Sequence, residues 1–572
     1  MAFPVRKGWG TMKFDHYFLY EEMTAALEDF VRQYPHLCAL DSIGKTYAGR
    51  DIWRLTLCNR ATGEPEDKAA FFMDGNIHSG EVASSMAVLY ILDTWLSAYG
   101  KDEKITALLD RYAIYAIPRI NADAAEVYLT SPRVLRGSVE PYYPEDSGIQ
   151  PWDMDGDGEI RQMRILDSAG KWKTYEKDPR IMMRRGPEDV EGPFYTLVSE
   201  GFFKGSPEDF VNLRTANPRE DLDPNRQFPF EWNKDYPDPA RPTSGPEPLH
   251  DREVKALHDF VMNHPNIAFH MNFHTYGGLH ISPAAFCPHL EAPDGEAMRQ
   301  LGLAMRKRTG YKCEGIFPEG AKDIAPGSYT TWEYFDRGIM AFVTELWDFH
   351  FQADPDRPEK WSMFFAETEE QFIREAETAI AWDEMENGGR GFKAWTPFAH
   401  PDWDDPAESG VTVEIGGWSE KFSKQNPPAH LLEGVCQKAL GAAMVGLAAL
   451  PNVRILRTGR TWDEEKWRQD QTETYLITIA NAGFLPTGGT EQAVKQGLGD
   501  DLTAELSGCE VLSQNPLLLG SMAGYSKKQI AFQVRISREC DITVTLRGSR
   551  CGKITQTAHC LPRMMTPKEN EQ

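Results

Sequence analysis

The sequence of 572 residues contains no uninterrupted run of 18 apolar residues, the length that a membrane-spanning helix requires. The most apolar stretch of its first part, residues 82–96, is interrupted by Ser84, Ser85 and Asp93. The first residues also lack the apolar segment and the small-residue cleavage site of a signal peptide. We therefore expect no membrane partner and a cytoplasmic protein, with a secreted or periplasmic one as the alternative if the N-terminus is trimmed.

Positive charge and cysteine are both scarce. The chain has 61 Lys and Arg against 86 Asp and Glu, a formal net charge of −25, which repels a phosphate backbone. We therefore expect no nucleic-acid partner. The nine cysteines are dispersed and form no CxxC pair of the kind found in metal or redox sites. Most are expected to be buried thiols, and a bridge among Cys540, Cys551 and Cys560 is the alternative in an oxidising compartment.

Hydrophobic residues make up 41% of the chain and aromatic residues 11%, a composition typical of a globular protein with a sizeable core. The segment AAFFMDG reads as a short buried strand, the apolar pattern that follows it as a helix, and YAIYAIPRI as another buried strand. This order implies a right-handed crossover. The sequence predicts an α/β fold with a mixed, mostly parallel sheet flanked by helices.

Three regions of the chain differ in composition and in hydrophobic pattern. Residues 1–450 are predicted to form one large domain, with an insertion at about 133–223 that is rich in proline, glycine and charge. A long apolar helix ends at Pro451, and the segments TYLITIANAG, QIAFQVRIS and CDITVTLRGS then alternate like strands. Residues 451–562 are therefore predicted to be a C-terminal β-sandwich domain, and residues 563–572 a tail.

Polar residues that directly follow buried strands are the first candidates for a site, because ligands bind beyond the carboxyl ends of such strands. His78 and Glu81 follow one strand in FFMDGNIHSGE, His274 ends another, and Glu345 ends a third in FVTELWD. His270 shares the strand face of His274, but four strand residues span about 13 Å, so both cannot reach one ion. We predict that His270 is a core residue.

Two histidines and one carboxylate leave a zinc ion with an open fourth position for water, as in catalytic zinc sites. A second carboxylate that is not a ligand is then needed to accept the proton of that water. Taken alone, an HxxE pair such as His78 and Glu81 is more often the start of a helix and its cap. The residues by themselves leave both interpretations open.

The order and spacing of these motifs resemble the M14 family of zinc carboxypeptidases. Its pattern of HxxE, Asn-Arg, His-x-Tyr and a Glu in a strand is similar here to HSGE, Asn225 and Arg226, HTY at His274, and TELWD at Glu345. Trp332 stands thirteen residues before the strand glutamate, as in the family. The likeness spans about residues 14–450, and the segments EDLDPNRQFP and VEIGGW look more like a large bacterial branch than the digestive enzymes.

The resemblance implies a zinc-dependent metallocarboxypeptidase with a zinc carboxypeptidase-like catalytic domain. His78, Glu81 and His274 are the implied zinc ligands, and Glu345 is the implied general base in hydrolysis of the C-terminal peptide bond. One alternative is a related amidohydrolase that trims peptidoglycan peptides or isopeptide-linked residues. The other is a non-catalytic binding protein on a peptidase fold.

The resemblance also assigns residues that bind the substrate, a peptide with a free C-terminal carboxylate. Asn225 and Arg226 are expected to bind that carboxylate, the arginine by a forked pair of hydrogen bonds. Arg136 is the expected donor to the oxyanion, with Arg133 as the alternative. Thr330, two residues before the tryptophan, falls where the family sets specificity for the C-terminal side chain.

The sequence departs from the pancreatic pattern in two places near the site. Gly80 stands where those enzymes keep an arginine. The tyrosine that closes over the bound substrate falls on Asp323, and Tyr329 is nearby but shifted. Both departures predict that the walls of the substrate pocket differ from those of the digestive enzymes.

A second metal site is suggested by WDMDGDGEIRQMR. Asp153, Asp155 and Asp157 alternate before Gly158, as in the first half of an EF-hand-like calcium loop. A complete loop has a glutamate at its twelfth position, which is Arg164 here. Calcium is one prediction for this segment, and an acidic solvated turn is the other.

Overall fold

The computed structural model describes residues 12–283, 290–313, 326–358, 366, 368–403 and 412–563. Helices in these ranges pack on both faces of a central sheet. The helices are α1 (Tyr20–Gln33), α2 (Val82–Ala98), α3 (Glu103–Arg111), α4 (Ala122–Thr130), α5 (Pro207–Val211), α6 (Arg252–Met262), α7 (Ala292–Thr309), α8 (Tyr329–Arg337), α9 (Phe349–Ala353), α10 (Glu369–Glu386), α11 (Ala429–Ala449), α12 (Glu464–Asp470) and α13 (Glu491–Lys495).

The strands belong to a large central sheet, to two sheets between residues 148 and 418, and to two C-terminal sheets. They are β1 (Cys38–Lys45), β2 (Asp51–Leu57), β3 (Ala70–Gly75), β4 (Ala113–Ile117), β5 (Gly148–Pro151), β6 (Gln162–Leu166), β7 (Trp172–Thr174), β8 (Met182–Arg184), β9 (Tyr195–Ser199), β10 (Gly201–Lys204), β11 (Ile267–Thr275), β12 (Leu279–Ile281), β13 (Met340–Leu346), β14 (Phe392–Pro397), β15 (Val413–Trp418), β16 (Val453–Thr461), β17 (Thr472–Asn481), β18 (Thr503–Ser507), β19 (Glu510–Val511), β20 (Leu517–Leu518), β21 (Ser526–Arg535), β22 (Cys540–Gly548) and β23 (Gly552–Cys560).

The central sheet has seven strands in the order β1-β2-β4-β3-β11-β13-β12. The four middle strands, β4, β3, β11 and β13, run parallel, and the outer pairs are antiparallel. The predicted mixed α/β sheet is therefore confirmed, with its parallel strands at the centre. In the sequence β3 is followed by β4, which lies on one side of it, and later by β11, which lies on its other side. The direction of strand addition therefore reverses at β3, and α/β sheets bind ligands at such a point.

Helices α2 and α11 cover one face of the sheet and bury its largest hydrophobic cluster. Gly446 lets α11 approach closely, since a Cβ there would lie 2.7 Å from the rings of Phe71 and Phe269. Within the described residues one helical stretch, Lys421–Ala449, is long and apolar enough to cross a membrane, by length and composition alone. Because 61% of its most apolar window is buried in the protein, a core helix accounts for it.

The region predicted as an insertion contains strands of its own. Strands β6 to β9 are three to five residues long and pair with β15 and β14 in a six-stranded sheet, while β5 pairs with β10. The sheet thus joins the insertion to a segment more than 200 residues later in the sequence. It has a small hydrophobic core that includes Met163, Ile165, Val198 and Ile415.

Two four-stranded sheets, β16-β17-β21-β19 and β20-β18-β22-β23, follow the last helix of the central domain and enclose their own hydrophobic core. This strand-rich region fits the predicted β-sandwich. It contacts the C-terminal end of α8, where Arg550 and Thr490 both donate hydrogen bonds to the carbonyl oxygen of Gly338. Cys540, Cys551 and Cys560 are free thiols rather than a bridge.

Candidate active site

The parallel strands deliver four candidate residues to one edge of the sheet. His274 on β11 and Glu345 on β13 are register partners, and β3 beside them ends at Gly75. After β3 the chain makes a short loop and enters α2 directly behind Glu81, the N-cap residue of that helix. His78 and Glu81 therefore lie at the same edge as the ends of β11 and β13.

The side chains of His78, Glu81 and His274 converge in a buried cluster. Nδ1 of His78 lies 2.8 Å from Oε1 of Glu81 and 3.2 Å from Nδ1 of His274, and the second oxygen of Glu81 lies 2.8 Å from Nδ1 of His274. Ligands at 2.0–2.1 Å from a tetrahedral zinc ion stand roughly 3.3 Å apart. The donor set and its spacing therefore fit zinc, with one position left for water.

Asp223 supports this cluster, and the sequence interpretation did not find it. Its Oδ1 lies 3.1 Å from Nε2 of His78, and its Oδ2 accepts a hydrogen bond from Nε of Arg136 at 2.9 Å. Burial would raise the pKa of Asp223, but the charges of Arg136 and His78 outweigh burial and hold it well below its usual range. A carboxylate on the outer nitrogen of a histidine leaves the other nitrogen free for a metal. The only signal in the sequence was its position two residues before Asn225.

The pKa values of the two carboxyl groups of the site, Glu81 and Glu345, are shifted in opposite directions. Burial would raise the pKa of Glu81, but His78 and His274 outweigh burial and hold it below its usual range, as suits an ionised ligand. Burial and the charge of Glu81 raise the pKa of Glu345 to about 8, against the opposing charges of His274 and Arg136. One oxygen of Glu345 is buried and has no hydrogen-bond partner among the described residues. An unpartnered carboxylate oxygen in this place is suited to exchange a proton with a water molecule.

Two arginines were candidates for the oxyanion donor, and the structure separates them. Arg136 is half-exposed and pairs with Asp223, and the charges of Asp223, Glu81 and Glu345 raise its pKa. Arg133 instead points to Glu220, with 3.3 Å between Nη2 and Oε2. The backbone N–H of Ser79 donates to the carbonyl of Arg136, so the loop that carries His78 and the loop that carries Arg136 are joined.

Asn225 and Arg226 lie in a short 3-10 turn next to Asp223. The Oδ1 atom of Asn225 accepts a hydrogen bond from the backbone of Tyr329 at 2.8 Å, which ties this turn to the start of α8. The guanidinium of Arg226 donates to the carbonyl of Asn225 at 2.6 Å and is partly exposed. The turn is thus attached to the metal cluster through Asp223 and presents one arginine to solvent.

Thr330 lies in the first turn of α8 and is 2% exposed. Its neighbour Tyr329 is fully buried, with its ring stacked on Phe228 at 4.4 Å between centroids. Tyr329 is therefore a core residue and cannot close over a bound substrate. Asp323, where the family pattern places that tyrosine, lies outside the described residues.

The space beside Gly80 is filled by other side chains. A Cβ at this position would lie 2.8 Å from Nε2 of Gln425 and 3.0 Å from the ring of Tyr128. Tyr128 donates a hydrogen bond to the Oε1 atom of Gln425 at 3.0 Å. Polar atoms from residues 128 and 425 therefore stand where the pancreatic pattern has an arginine.

The acidic segment of the insertion forms a second cluster. Asp153 and Asp155 lie close enough to Glu200 for the three carboxylates to hold a cation. Asp157, the third residue of the predicted calcium set, is not part of this cluster and contacts Arg161 at 3.3 Å. Nζ of Lys393 lies 2.5 Å from Asp155 and 2.9 Å from Asp157. Neither the family match nor the relatives described below supports calcium, which stays a prediction.

Comparison with known proteins gives a family for most of residues 1–450. The family model described as zinc carboxypeptidase matches residues 23–152 and 195–381, more than half of the chain. The unmatched residues 153–194 fall inside the predicted insertion. A domain of unknown function matches residues 471–559, in the C-terminal sheets.

Individual relatives are distant. A zinc carboxypeptidase of Saccharothrix mutabilis subsp. capreolus is 33% identical over 111 residues, 19% of this chain and 25% of that protein. Carboxypeptidase M of Mus musculus is 34% identical over 110 residues, 18% of this chain and 24% of that protein, so the chain spans about a quarter of both relatives. The crystal structure of carboxypeptidase A from Helicoverpa armigera is 15% identical, with a TM-score of 0.40 over 67% of this chain and 76% of that one.

Proposed function

The chain belongs to the zinc carboxypeptidase family, and from this premise we propose that it is a zinc-dependent metallocarboxypeptidase, which hydrolyses the C-terminal peptide bond of peptides. The family supports a metallopeptidase in general terms. The observation that carries the more specific proposal is the convergence of Nδ1 of His78, Glu81 and Nδ1 of His274 beside Glu345, one oxygen of which has no hydrogen-bond partner in the described part of the chain.

The proposed mechanism needs no covalent intermediate with the protein. Zinc, when bound, supplies a Lewis acid that polarises the scissile carbonyl and lowers the pKa of water. Glu345 accepts a proton from the attacking water and passes it to the leaving amine. Burial raises the pKa of Glu345, which helps the group to hold the proton between the two transfers. Arg136 stabilises the negative charge that develops on the carbonyl oxygen.

Selection of C-terminal bonds is assigned to Asn225 and Arg226. A guanidinium can bind a carboxylate through two parallel hydrogen bonds, and the partly exposed Arg226 is available for this. Asp223 anchors the turn of this pair to the metal cluster, because it bonds both the backbone N–H of Asn225 and the ring of His78. The carboxylate site and the metal site are thus held at a fixed separation, as an exopeptidase requires.

The test is a panel of substrates read by mass spectrometry. We expect loss of single C-terminal residues from free peptides and little reaction with the same peptides after C-terminal amidation. Arg226→Ala should raise KM for free peptides and leave the slow cleavage of amidated peptides unchanged, because only the free ones offer a carboxylate. Equal cleavage of free and amidated peptides by the wild-type protein would contradict the proposal.

Adding cell-wall peptides and isopeptide-linked peptides to this panel distinguishes a related amidohydrolase from a carboxypeptidase. Cell-wall peptides and isopeptide-linked glutamate peptides also end in a carboxylate, so the two activities share Asn225 and Arg226. Selective release from these substrates, with ordinary peptides left intact, would replace the carboxypeptidase by the amidohydrolase. Binding of all peptides without cleavage would indicate a non-catalytic protein.

A further inference from the structure

Strand β11 places three polar residues on one face, because alternate residues of a strand point to the same side. His270, Asn272 and His274 share this face, and all three are at most 1% exposed. His274 stands at the metal end. The other two lead from it into the core, where polar groups without hydrogen-bond partners are costly.

The side chain of Asn272 makes hydrogen bonds in two directions. Its Oδ1 lies 2.5 Å from Nε2 of His274. Its Nδ2 donates to Oδ1 of Asp74 at 2.6 Å. Asp74 and Asn272 are register partners on the parallel strands β3 and β11, so the sheet itself holds these two side chains together.

These two bonds determine where the hydrogen of His274 lies. A carboxylate only accepts hydrogen bonds, so Asp74 must receive the NH₂ end of the Asn272 amide. The oxygen of that amide then faces His274 and can only accept, so Nε2 of His274 must carry the hydrogen. In a neutral imidazole the other nitrogen has the free lone pair. That nitrogen, Nδ1, is the atom that lies among Glu81 and His78.

Asp74 is held in turn by a buried ion pair. Nε2 of His270 lies 3.2 Å from Oδ1 of Asp74, and Nδ1 of His270 lies 2.5 Å from Oε2 of Glu333 on α8. Burial would lower the pKa of His270, but the carboxylates of Glu333 and Asp74 outweigh burial and raise it to about 10. The ring also stacks on Phe72 at 4.3 Å. His270 is the predicted core residue, and it fixes the position of Asp74.

We propose that Asn272 is a positioning residue that fixes the ring and the tautomer of His274 and thereby tightens metal binding. Asp74 sets the direction of the Asn272 amide, and the pair of His270 and Glu333 holds Asp74 in place. The inference rests on the proposed function in one respect, that the metal is zinc. Loss of such an outer partner typically lowers metal affinity about 10- to 100-fold.

The experiment measures zinc affinity by competition with a chromogenic chelator, together with thermal melting of the metal-free full-length chain. Asn272→Leu keeps the branched outline of the side chain but removes both its acceptor for His274 and its donor to Asp74, so zinc affinity should fall about 10- to 100-fold. Asn272→Asp keeps an acceptor for His274 but sets a carboxylate against Asp74. It should therefore melt at a lower temperature and still bind zinc within about threefold of wild type.

Tyr115→Phe is the matched control. It removes a buried hydroxyl on β4, another strand of the same sheet, that accepts a hydrogen bond from Asn266, and it should leave zinc affinity unchanged. If Asn272→Leu does not fold, Asn272→Ala takes its place. The inference would be overturned if Asn272→Leu, or Asn272→Ala in its place, bound zinc within threefold of wild type. It would also be overturned if Asn272→Asp lost as much zinc affinity as that variant. A wild-type chain that binds no zinc would contradict the proposed function instead, so the two failures are distinguishable.

Discussion

His274 and Glu345 are 71 residues apart in the sequence and are register partners on neighbouring parallel strands. The pairing sets the imidazole of a proposed metal ligand beside a carboxylate whose pKa burial raises to about 8. Because each residue lies within its strand, one position before the end, the rigid sheet and not a loop sets their separation. The proposed proton acceptor is thereby held next to the proposed metal ligands without being one of them.

Replacing Arg136 or Arg133 by alanine gives a matched pair of variants. Arg136→Ala should lower kcat about 10²- to 10³-fold, because it removes the donor that stabilises charge in the transition state. Arg133→Ala should have little effect, since that side chain pairs with Glu220 away from the cluster. Steady-state kinetics on one free peptide checks both variants. A large loss of kcat in Arg133→Ala with none in Arg136→Ala would reverse the assignment.

The specificity prediction concerns Thr330. A short hydroxyl on α8 offers one donor and one acceptor, so small or polar uncharged C-terminal residues should be released in preference to basic ones. Thr330→Asp should shift the preference toward Lys and Arg by charge. A peptide library varied only at its last residue, read by mass spectrometry, measures both. Preference for Lys or Arg in the wild-type protein would point to Asp323 or another acid.

Glu253 on α6 predicts a pH dependence of stability. Burial raises its pKa from an ordinary 4.5 to about 7, despite a hydrogen bond from the backbone of Tyr47. The folded state therefore favours the protonated form, and the stability contributed by this group is complete below pH 4.5 and lost as the pH rises through 7.

Glu253→Gln removes the ionisation but keeps the acceptor for Tyr47. Its melting temperature should exceed that of wild type by roughly 1–3 °C at pH 8, and the difference should vanish near pH 4. Glu433→Gln, at an exposed position of α11, is the control and should show no such trend. A difference of the same size at pH 4 and pH 8 would refute the proposed ionisation of Glu253.

The sequence predicted the strands that carry the site because their apolar runs are long and the polar residues stand at their ends. It could not predict Asp223 or Asn272. Asp223 contacts an imidazole 145 residues away, and Asn272 contacts a carboxylate 198 residues away, so no local pattern marks either one. The strands of the insertion were missed for a related reason. They are only three to five residues long, and pairing with distant strands stabilises them.

Glu345→Gln tests the central claim most directly, with zinc content and peptide hydrolysis measured on the same preparations. We expect about one zinc per chain in both wild type and variant, since Glu345 is not a proposed ligand. Turnover in the variant should fall at least about 10²-fold, because an amide cannot accept the proton of water. Near-normal hydrolysis by the variant would contradict the role of Glu345 as general base. An active wild-type preparation that contains no transition metal would contradict zinc-dependent hydrolysis.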